Sequence, residues 1–342
     1  MDLVFKLSVA AGILLAAQAG VRAQPLEEFF RAQPFTILVG YPPGAAYDNY
    51  ARFIARHIGA HLPGTPRVVV QNMPGAGSLS AANHLYNIAK QDGSIIGTFS
   101  RGITMLPIID STGVRYDTLK FNWVGSPSSE VSLAIAWHDS GVKTFEDLRT
   151  RGMTAATSGP ASDGNIYGRV LNTILGTKIK TVTGYQGSAE SMLAIERKEV
   201  DGATSVSFAA IKTAQRDWLD NKKINLLAQH TLKASPELKG VPVILDFAKS
   251  EENRRVLELV FARQSIGYPY AAPPNVPTNR LEAIRKAFQE TLQDPEFLAA
   301  IAKGGLLVDG MSGAQIQDLL VKLYAMPLAI AERARSAMAP PK

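Results

Sequence analysis

The sequence contains no cysteine, so disulfides, thiolate metal sites, cysteine nucleophiles and a lipid-modified cysteine anchor are all excluded. Charged residues are also few, at 19% of the 342 residues, and they form no basic runs. The net charge of +6 favours anionic solutes but lacks the concentrated basic surface that binds nucleic acid. We therefore expect no nucleic-acid partner. A hydrophobic share of 46% excludes disorder, and this length favours two compact domains.

Long hydrophobic runs are absent except near the amino terminus. There, an apolar run over residues 7–17 follows Lys6 and is closed by the small-x-small pattern Val21-Arg22-Ala23. This arrangement is typical of a secretory signal peptide, and the run is shorter than the ~20 residues that a membrane span needs. We predict a signal peptide at 1–23, a periplasmic mature chain and no direct insertion into the membrane.

Past residue 24, short β-branched runs alternate with segments of helical period, a pattern typical of βαβ units and a largely parallel sheet. The amphipathic spacing over 47–61 predicts a helix, and further helices are predicted at 162–176, from 188 onward, and at 278–293, 295–303 and 312–326. The predicted strands are 36–41, 67–72, 94–99, 132–137, 153–158, 180–185, 202–207 and 224–230.

Small-residue turns that lead from a strand into a helix recur at 41–48, 74–78, 158–162 and 184–188. Helix N-termini carry partial positive charge and unpaired N–H groups, so such turns hold a carboxylate without a cationic side chain. Because the turns fall in both halves of the chain, they predict two facing anion half-sites. The candidate ligand-binding residues in them are Tyr41, Pro43, Gly44, Ala45, Ala46, Tyr47, Asp48, Gly77, Ser78, Ser158, Gly159, Ser162, Asp163, Tyr185, Gly187 and Ser188.

The turn at 75–81 also has the glycine spacing of a dinucleotide-binding fingerprint. That fingerprint needs an acidic residue at the end of the next strand, whereas Asp92 precedes the strand. The alternative of a periplasmic α/β enzyme with a nucleotide cofactor is therefore the weaker one, and the turns supply no histidine or lysine as an acid or base. We expect no catalytic residue, cofactor or bound metal.

These turns resemble, in order along nearly the whole mature chain, those of the periplasmic solute receptors of tripartite tricarboxylate transporters, the Bug group. The family patterns P-x-G-G-x-x-D, V-V-x-N-x-P-G-A-G and D-G-x-x-x-x-T match residues 42–48, 69–77 and 92–98. This sequence departs from the family at Ala45 (usually Gly), Tyr47 (a small residue), Asp163 (Ser or Thr) and Ser205 (an acid). The departures argue against a citrate-like ligand and add Ser205 to the candidate site.

The resemblance implies a type II periplasmic-binding-protein fold, an α/β class with two α/β domains around a ligand cleft. We expect domain one at 24–131 plus 264–342 and domain two at 132–263. The family's ligands imply that a small organic carboxylate or related anion is bound by backbone N–H groups and delivered to the membrane permease subunits of a tripartite transporter. Presentation of the ligand to a membrane sensor kinase is an alternative that the sequence leaves open. We expect the receptor to be a monomer.

Overall fold

The chain folds into two β-sheets covered by helices, and a computed structural model describes residues 25–159, 162–185 and 188–340. The predicted signal peptide lies outside these residues. All eight predicted strands are present, with shifts of one or two residues at their ends, and three short strands are added. The strands are β1 (Phe35–Val39), β2 (Val68–Asn72), β3 (Ile95–Thr98), β4 (Asn122–Ser126), β5 (Ser132–Trp137), β6 (Met153–Thr157), β7 (Ile179–Thr183), β8 (Gly202–Ser207), β9 (Ile224–His230), β10 (Tyr270–Ala272) and β11 (Met311–Ser312).

Both sheets are mixed rather than largely parallel. The first has the strand order β11-β4-β10-β3-β1-β2 and the second β7-β6-β8-β5-β9. Strands joined by a covering helix pair in parallel, as β1 does with β2 from Phe35 opposite Val68. Strands β5 and β10, which enter after the chain has crossed from the other sheet, run antiparallel to their neighbours. The sequence-based expectation of a mainly parallel sheet is therefore wrong for these entering strands.

The predicted helices are found close to their expected limits. Helix α2 buries Tyr50, Ala51, Ile54 and Ile58, the apolar stripe that the sequence shows. The helices of the described residues are α1 (Leu26–Arg31), α2 (Ala46–His61), α3 (Leu79–Asn87), α4 (Leu106–Ile109), α5 (Phe145–Thr150), α6 (Asp163–Leu175), α7 (Ser188–Glu196), α8 (Phe208–Ala214), α9 (Arg216–Asp220), α10 (Glu251–Phe261), α11 (Thr278–Gln293), α12 (Pro295–Lys303), α13 (Gly313–Tyr324) and α14 (Leu328–Met338). Over the described ranges, none of these helices is both long and apolar enough for a membrane crossing.

The two segments that connect the sheets lie side by side. The Ser126 hydroxyl donates to the Ile266 carbonyl at 2.6 Å, and the Glu130 N–H donates to the Gln264 carbonyl at 2.8 Å. Gly267 has φ +29°, and a Cβ there would lie 2.1 Å from the Ser128 carbonyl oxygen. Only glycine fits this crossing point, since a larger residue would push the two segments apart.

The last helix, α14, ties the carboxyl end of the chain to the second sheet's layer by packing against α6 and α10. Its buried face includes Ile330, Ala331 and Ala334. These residues belong to one continuous core that also includes Trp123 of β4, in the first sheet, and Tyr167 of α6. The cleft between the sheets is therefore bounded by the two connecting segments and by α14.

Candidate ligand-binding cleft

The N-termini of α2 and α6, which follow strands in different sheets, are joined through Arg101. The Tyr47 hydroxyl accepts from the Arg101 N–H at 3.0 Å and donates to the Gly267 carbonyl at 3.1 Å. The guanidinium of Arg101 then bonds Asp163, the first residue of α6, at 3.2 Å. These contacts connect the first sheet, a connecting segment and the second sheet in one network.

Asp163 is the centre of this network because two arginines hold its carboxylate. Arg263, just past α10, bonds the other carboxylate oxygen at 2.9 Å and also donates to the Tyr167 hydroxyl at 3.1 Å. The side chains of Arg101 and Arg263 are only 19% and 13% exposed. Burial alone would raise the pKa of Asp163, but the charges of Arg263 and Arg101 outweigh it, so the pKa is lowered. The carboxylate is ionised at neutral pH.

Asp48, in the first turn of α2, bonds only within its own domain. Its fully buried carboxylate accepts at 2.8 Å from the Gly44 N–H, from Arg52 Nε and from Asn72 Nδ2. Burial favours a raised pKa, yet the hydrogen bonds from Arg52, Asn72 and Gly44 lower it. The side chain thus fixes the 42–48 turn and is not available to a ligand.

Tyr47 packs against protein rings. Its ring stacks on Tyr41 with centroids 4.5 Å apart, and the Tyr268 ring lies 4.9 Å away. Burial is the main cause that raises the pKa of Tyr47 to about 12, so its hydroxyl is neutral and can donate. The side chain therefore packs between the turn and the connecting segment.

A cavity of about 250 Å³, here the hydroxyl cavity, lies at the strand ends of the second sheet. It brings together four residues singled out from the sequence: Ser158, Ser162, Asp163 and Ser205. The Ser162 hydroxyl accepts from the Asn165 N–H and so caps α6. The Ser205 and Ser132 hydroxyls are 2.9 Å apart. This half-site offers hydroxyl groups and the first-turn amides of α6 to an anion.

A larger cavity of about 870 Å³, here the apolar cavity, lies between the sheets and α14. Of the sequence candidates that the structure describes, Gly77 lies on its wall. Its apolar lining includes Ile103, Leu106, Ile166 and Met338, and Arg263 is among its polar residues. Arg263 therefore contacts Asp163 of the hydroxyl cavity while lining the apolar cavity.

The remaining candidates with described side chains do not line these two cavities. Pro43, Gly44 and Ala46 are exposed, and Tyr41, Ala45 and Tyr185 are partly buried. The Ser78 side chain is buried and donates to the Gly40 carbonyl at 3.0 Å, and the Gly159 carbonyl accepts from Ser162 at 2.7 Å. Gly187 lies outside the described residues, and Ser188 begins α7.

The glycine-rich turn before α3 is left-handed at two residues that are not glycine, Ala76 (φ +46°) and Ser78 (φ +78°). Such a conformation costs about 1–3 kcal/mol per residue and is retained where the surroundings enforce it. Here Ser78 is fixed against Gly40, at a point where a Cβ on Gly40 would lie 2.6 Å from that of Ser78. The turn brings Ala76 and Gly77 to the wall of the apolar cavity.

Sequence reasoning missed the two arginines. Arg101 lies two residues past the predicted strand at 94–99, at the same kind of strand end as the four turns. A search for polar residues at these strand ends therefore finds it. Arg263 lies in a helical segment with no local motif, and its partner Asp163 is 100 residues away. No signal in the sequence predicts that contact.

Two α/β layers, a cleft at the strand ends, buried cations and helix N-termini that converge there define the class of two-domain solute-binding proteins. Residues 51–327 match the family model described as the tripartite tricarboxylate transporter family receptor. The chain belongs to this family of periplasmic solute-binding receptors.

Relatives and solved structures agree with this placement. An Agrobacterium vitis protein of the UPF0065 group, from the TAR-I ttuE-ttuC' intergenic region, is 25% identical over 302 residues, which are 86% of this chain and 81% of that protein. A TctC solute-binding protein from Polaromonas has a TM-score of 0.67 at 16% identity and covers 87% of this chain and 98% of its own. MatC from Rhodopseudomonas palustris with bound malate has a TM-score of 0.59 at 17% identity and covers 90% and 99%. The structural likenesses show the type II periplasmic-binding-protein fold.

Proposed function

We propose that this receptor captures a small organic carboxylate in the cleft between its sheets and delivers it to the membrane permease of a tripartite transporter. The observation that carries the proposal is the pair of mostly buried arginines, Arg101 and Arg263, which meet between the two sheets at Asp163. Buried guanidinium groups are the preferred partners of carboxylates because they bind both oxygens in a fixed fork. The malate bound by MatC is such an anion.

The contacts also link binding to domain closure. Arg101 follows the first sheet's β3, whereas Asp163 begins α6 over the second sheet, so their ion pair bridges the cleft. A ligand that contacts both groups favours the arrangement in which the sheets approach each other. A closed receptor differs in shape from an open one, and this difference is what a permease can recognise.

The test is a thermal-shift screen of mono-, di- and tricarboxylates, followed by titration calorimetry. A ligand at 100 times its dissociation constant stabilises a protein by about 2.7 kcal/mol. We expect one or more carboxylates to give such a shift and Arg101→Gln to weaken its binding by at least about tenfold. Arg216→Gln, in an exposed surface pair with Asp220, is the matched control and should bind like wild type.

Delivery needs a separate measurement, which is ligand uptake by proteoliposomes that contain the permease subunits of the tripartite system. Addition of wild-type receptor should start uptake, and Arg101→Gln should not at the same ligand concentration. Absence of any carboxylate hit in the screen would contradict the binding proposal. Binding without uptake would contradict the delivery step alone and would favour ligand presentation to another membrane protein.

A further inference from the structure

The apolar cavity, which lies between the sheets and α14, has a mainly apolar lining. Its volume of about 870 Å³ is near the upper end of the roughly 300–1,000 Å³ range of small-molecule sites, which are mostly apolar with few polar groups. Ile103, Leu106, Ile166 and Met338 line it. The hydroxyl cavity, at about 250 Å³, is the smaller and more polar of the two.

Arg263 gives this apolar space an anchor for one carboxylate. Its Nε and Nη2 atoms bond Tyr167 and Asp163, whereas Nη1 has no hydrogen-bond partner within the part of the chain that the structure describes. A side-chain carbon built at Gly102, also on the cavity wall, would lie 3.7 Å from this Nη1 atom. Glycine at 102 therefore leaves room for a ligand group next to the unused donors.

The charges in the network set the charge of the ligand. Arg101 and Arg263 supply two positive charges against the one negative charge of Asp163, so one positive charge remains. Glu130 also acts on Arg101, but more weakly than Asp163, and it lines a separate small cavity. One further carboxylate neutralises the network of Arg101, Arg263 and Asp163, whereas a second one meets no net positive charge within it.

The other arginines of the apolar cavity are engaged with protein oxygens. Arg335 donates to the carbonyls of Ile108 and Ile109, and its charge helps to lower the pKa of Asp110 on the same wall after the hydrogen bonds from Thr112. Arg169 donates to Asn165 Oδ1 at 2.6 Å and to the Met338 carbonyl at 2.8 Å.

We propose that the receptor selects a monocarboxylate with an apolar body, whose carboxylate pairs with Arg263 and whose body fills the apolar cavity. The inference rests on the proposed function and deepens it, because it names the ligand class of the same cleft. It assigns to Asp163 a part in specificity: the aspartate removes one of the two positive charges that a dicarboxylate would need.

The test uses pairs of acids of equal length that differ by one carboxyl group: hexanoate against adipate, and 4-methylbenzoate against terephthalate. Titration calorimetry on the full mature receptor should show the monoacid of at least one pair bound about tenfold or more tighter than its diacid. Equal or tighter binding of the diacid in both pairs overturns the inference and leaves the carboxylate-receptor proposal intact. Failure of all four acids and of the wider screen contradicts both.

Two variants make the charge and cavity arguments separable. Asp163→Asn keeps an oxygen acceptor and adds one net positive charge, so the monoacid-to-diacid preference should fall by about tenfold or more. Leu106→Trp fills the apolar cavity and should weaken the monoacid by a similar factor, whereas Leu328→Trp, at a side chain 69% exposed, should bind like wild type. If Asp163→Asn does not fold, the comparison of Leu106→Trp with Leu328→Trp tests the inference. Unchanged binding of the monoacid by Leu106→Trp overturns it.

Discussion

Asp48 and Asp163 each lie in the first turn of a helix that follows a strand. Their carboxylates nevertheless bond to different parts of the molecule. Asp48 bonds Gly44, Arg52 and Asn72, which are 4 to 24 residues away and in the same sheet layer. Asp163 bonds Arg101 and Arg263, which are 62 and 100 residues away and belong to other parts of the fold. One aspartate stabilises a turn and the other joins the domains.

This difference shows that an aspartate in the first turn of a helix does not by itself define a function. At Asp48 the carboxylate is fully buried and its three donors come from its own turn, its own helix and the neighbouring strand, so the residue contributes to stability. At Asp163 the donors are arginines with further nitrogen atoms, so a ligand carboxylate can share them. The two aspartates should therefore respond differently to mutation.

The largest effect should come from Asp48→Ala. Removing a buried carboxylate leaves Gly44, Arg52 and Asn72 without their acceptor, and we expect the free energy of unfolding to fall by about 3 kcal/mol. Asp163→Ala should cost about the same, because it leaves two arginines that are only 19% and 13% exposed without their carboxylate, but only Asp163→Ala should also change ligand binding. Urea denaturation and titration calorimetry of both variants measure this. A change in ligand binding by Asp48→Ala as large as that by Asp163→Ala would erase the distinction, and Asp220→Ala in an exposed pair serves as stability control with less than about 0.5 kcal/mol.

The pH dependence of the free energy of unfolding should also distinguish the region around Asp163 from the region around Asp48. His230 is fully buried beside Tyr167 and Phe261, and burial lowers its pKa from 6.5 to about 3, against a weaker opposing effect of Asp163. The unfolded chain takes up this proton below the ordinary pKa while the folded chain stays neutral, so the stability falls as the pH drops from 6.5 toward 3.

The expected slope from this one group is about 1.4 kcal/mol per pH unit, or about 2 kcal/mol between pH 6 and pH 4.5. His230→Leu should remove that slope when urea denaturation is repeated across this range. The stability supplied by the lowered pKa of Asp48 is lost only at lower pH, as the pH falls below the ordinary value of 3.8 and through the folded pKa. An unchanged slope in His230→Leu would show that another group carries the acid sensitivity.

Most of the fold could be predicted because its signals are local. The eight predicted strands are β-branched runs bounded by turn residues, and helices such as 278–293 are marked by their periodicity. The three missed strands, β4, β10 and β11, are short or rich in glycine and serine, and they pair only with partners distant in the chain. The domain limits at 131/132 and 263/264 stay a prediction.

The candidate site was predictable in part for the same reason. The turns around Asp48, Ser158 and Ser162 follow strands, so their positions at the strand ends could be inferred from the sequence. Arg263 could not, because a contact across 100 residues depends on how the connecting segments and α10 pack. The ligand-binding role of the turn residues also stays a prediction.

The smallest effect should come from Tyr47→Phe. This variant tests whether Tyr47 only stabilises its turn, as Asp48 does, or also contributes to the cleft, as Asp163 does. The variant removes the hydroxyl between the Arg101 N–H and the Gly267 carbonyl, and we expect a loss of about 1 kcal/mol in the free energy of unfolding. Tyr116→Phe, which removes a buried hydroxyl that donates to Ile103 within one domain, should cost a similar amount. Only Tyr47→Phe should also weaken ligand binding, by about three- to tenfold, because Arg101 loses one of the contacts that hold its backbone in the cleft. Calorimetry with the best carboxylate from the screen measures this. If both variants bind ligand like wild type, Tyr47 stabilises its turn as Asp48 does and takes no part in the cleft.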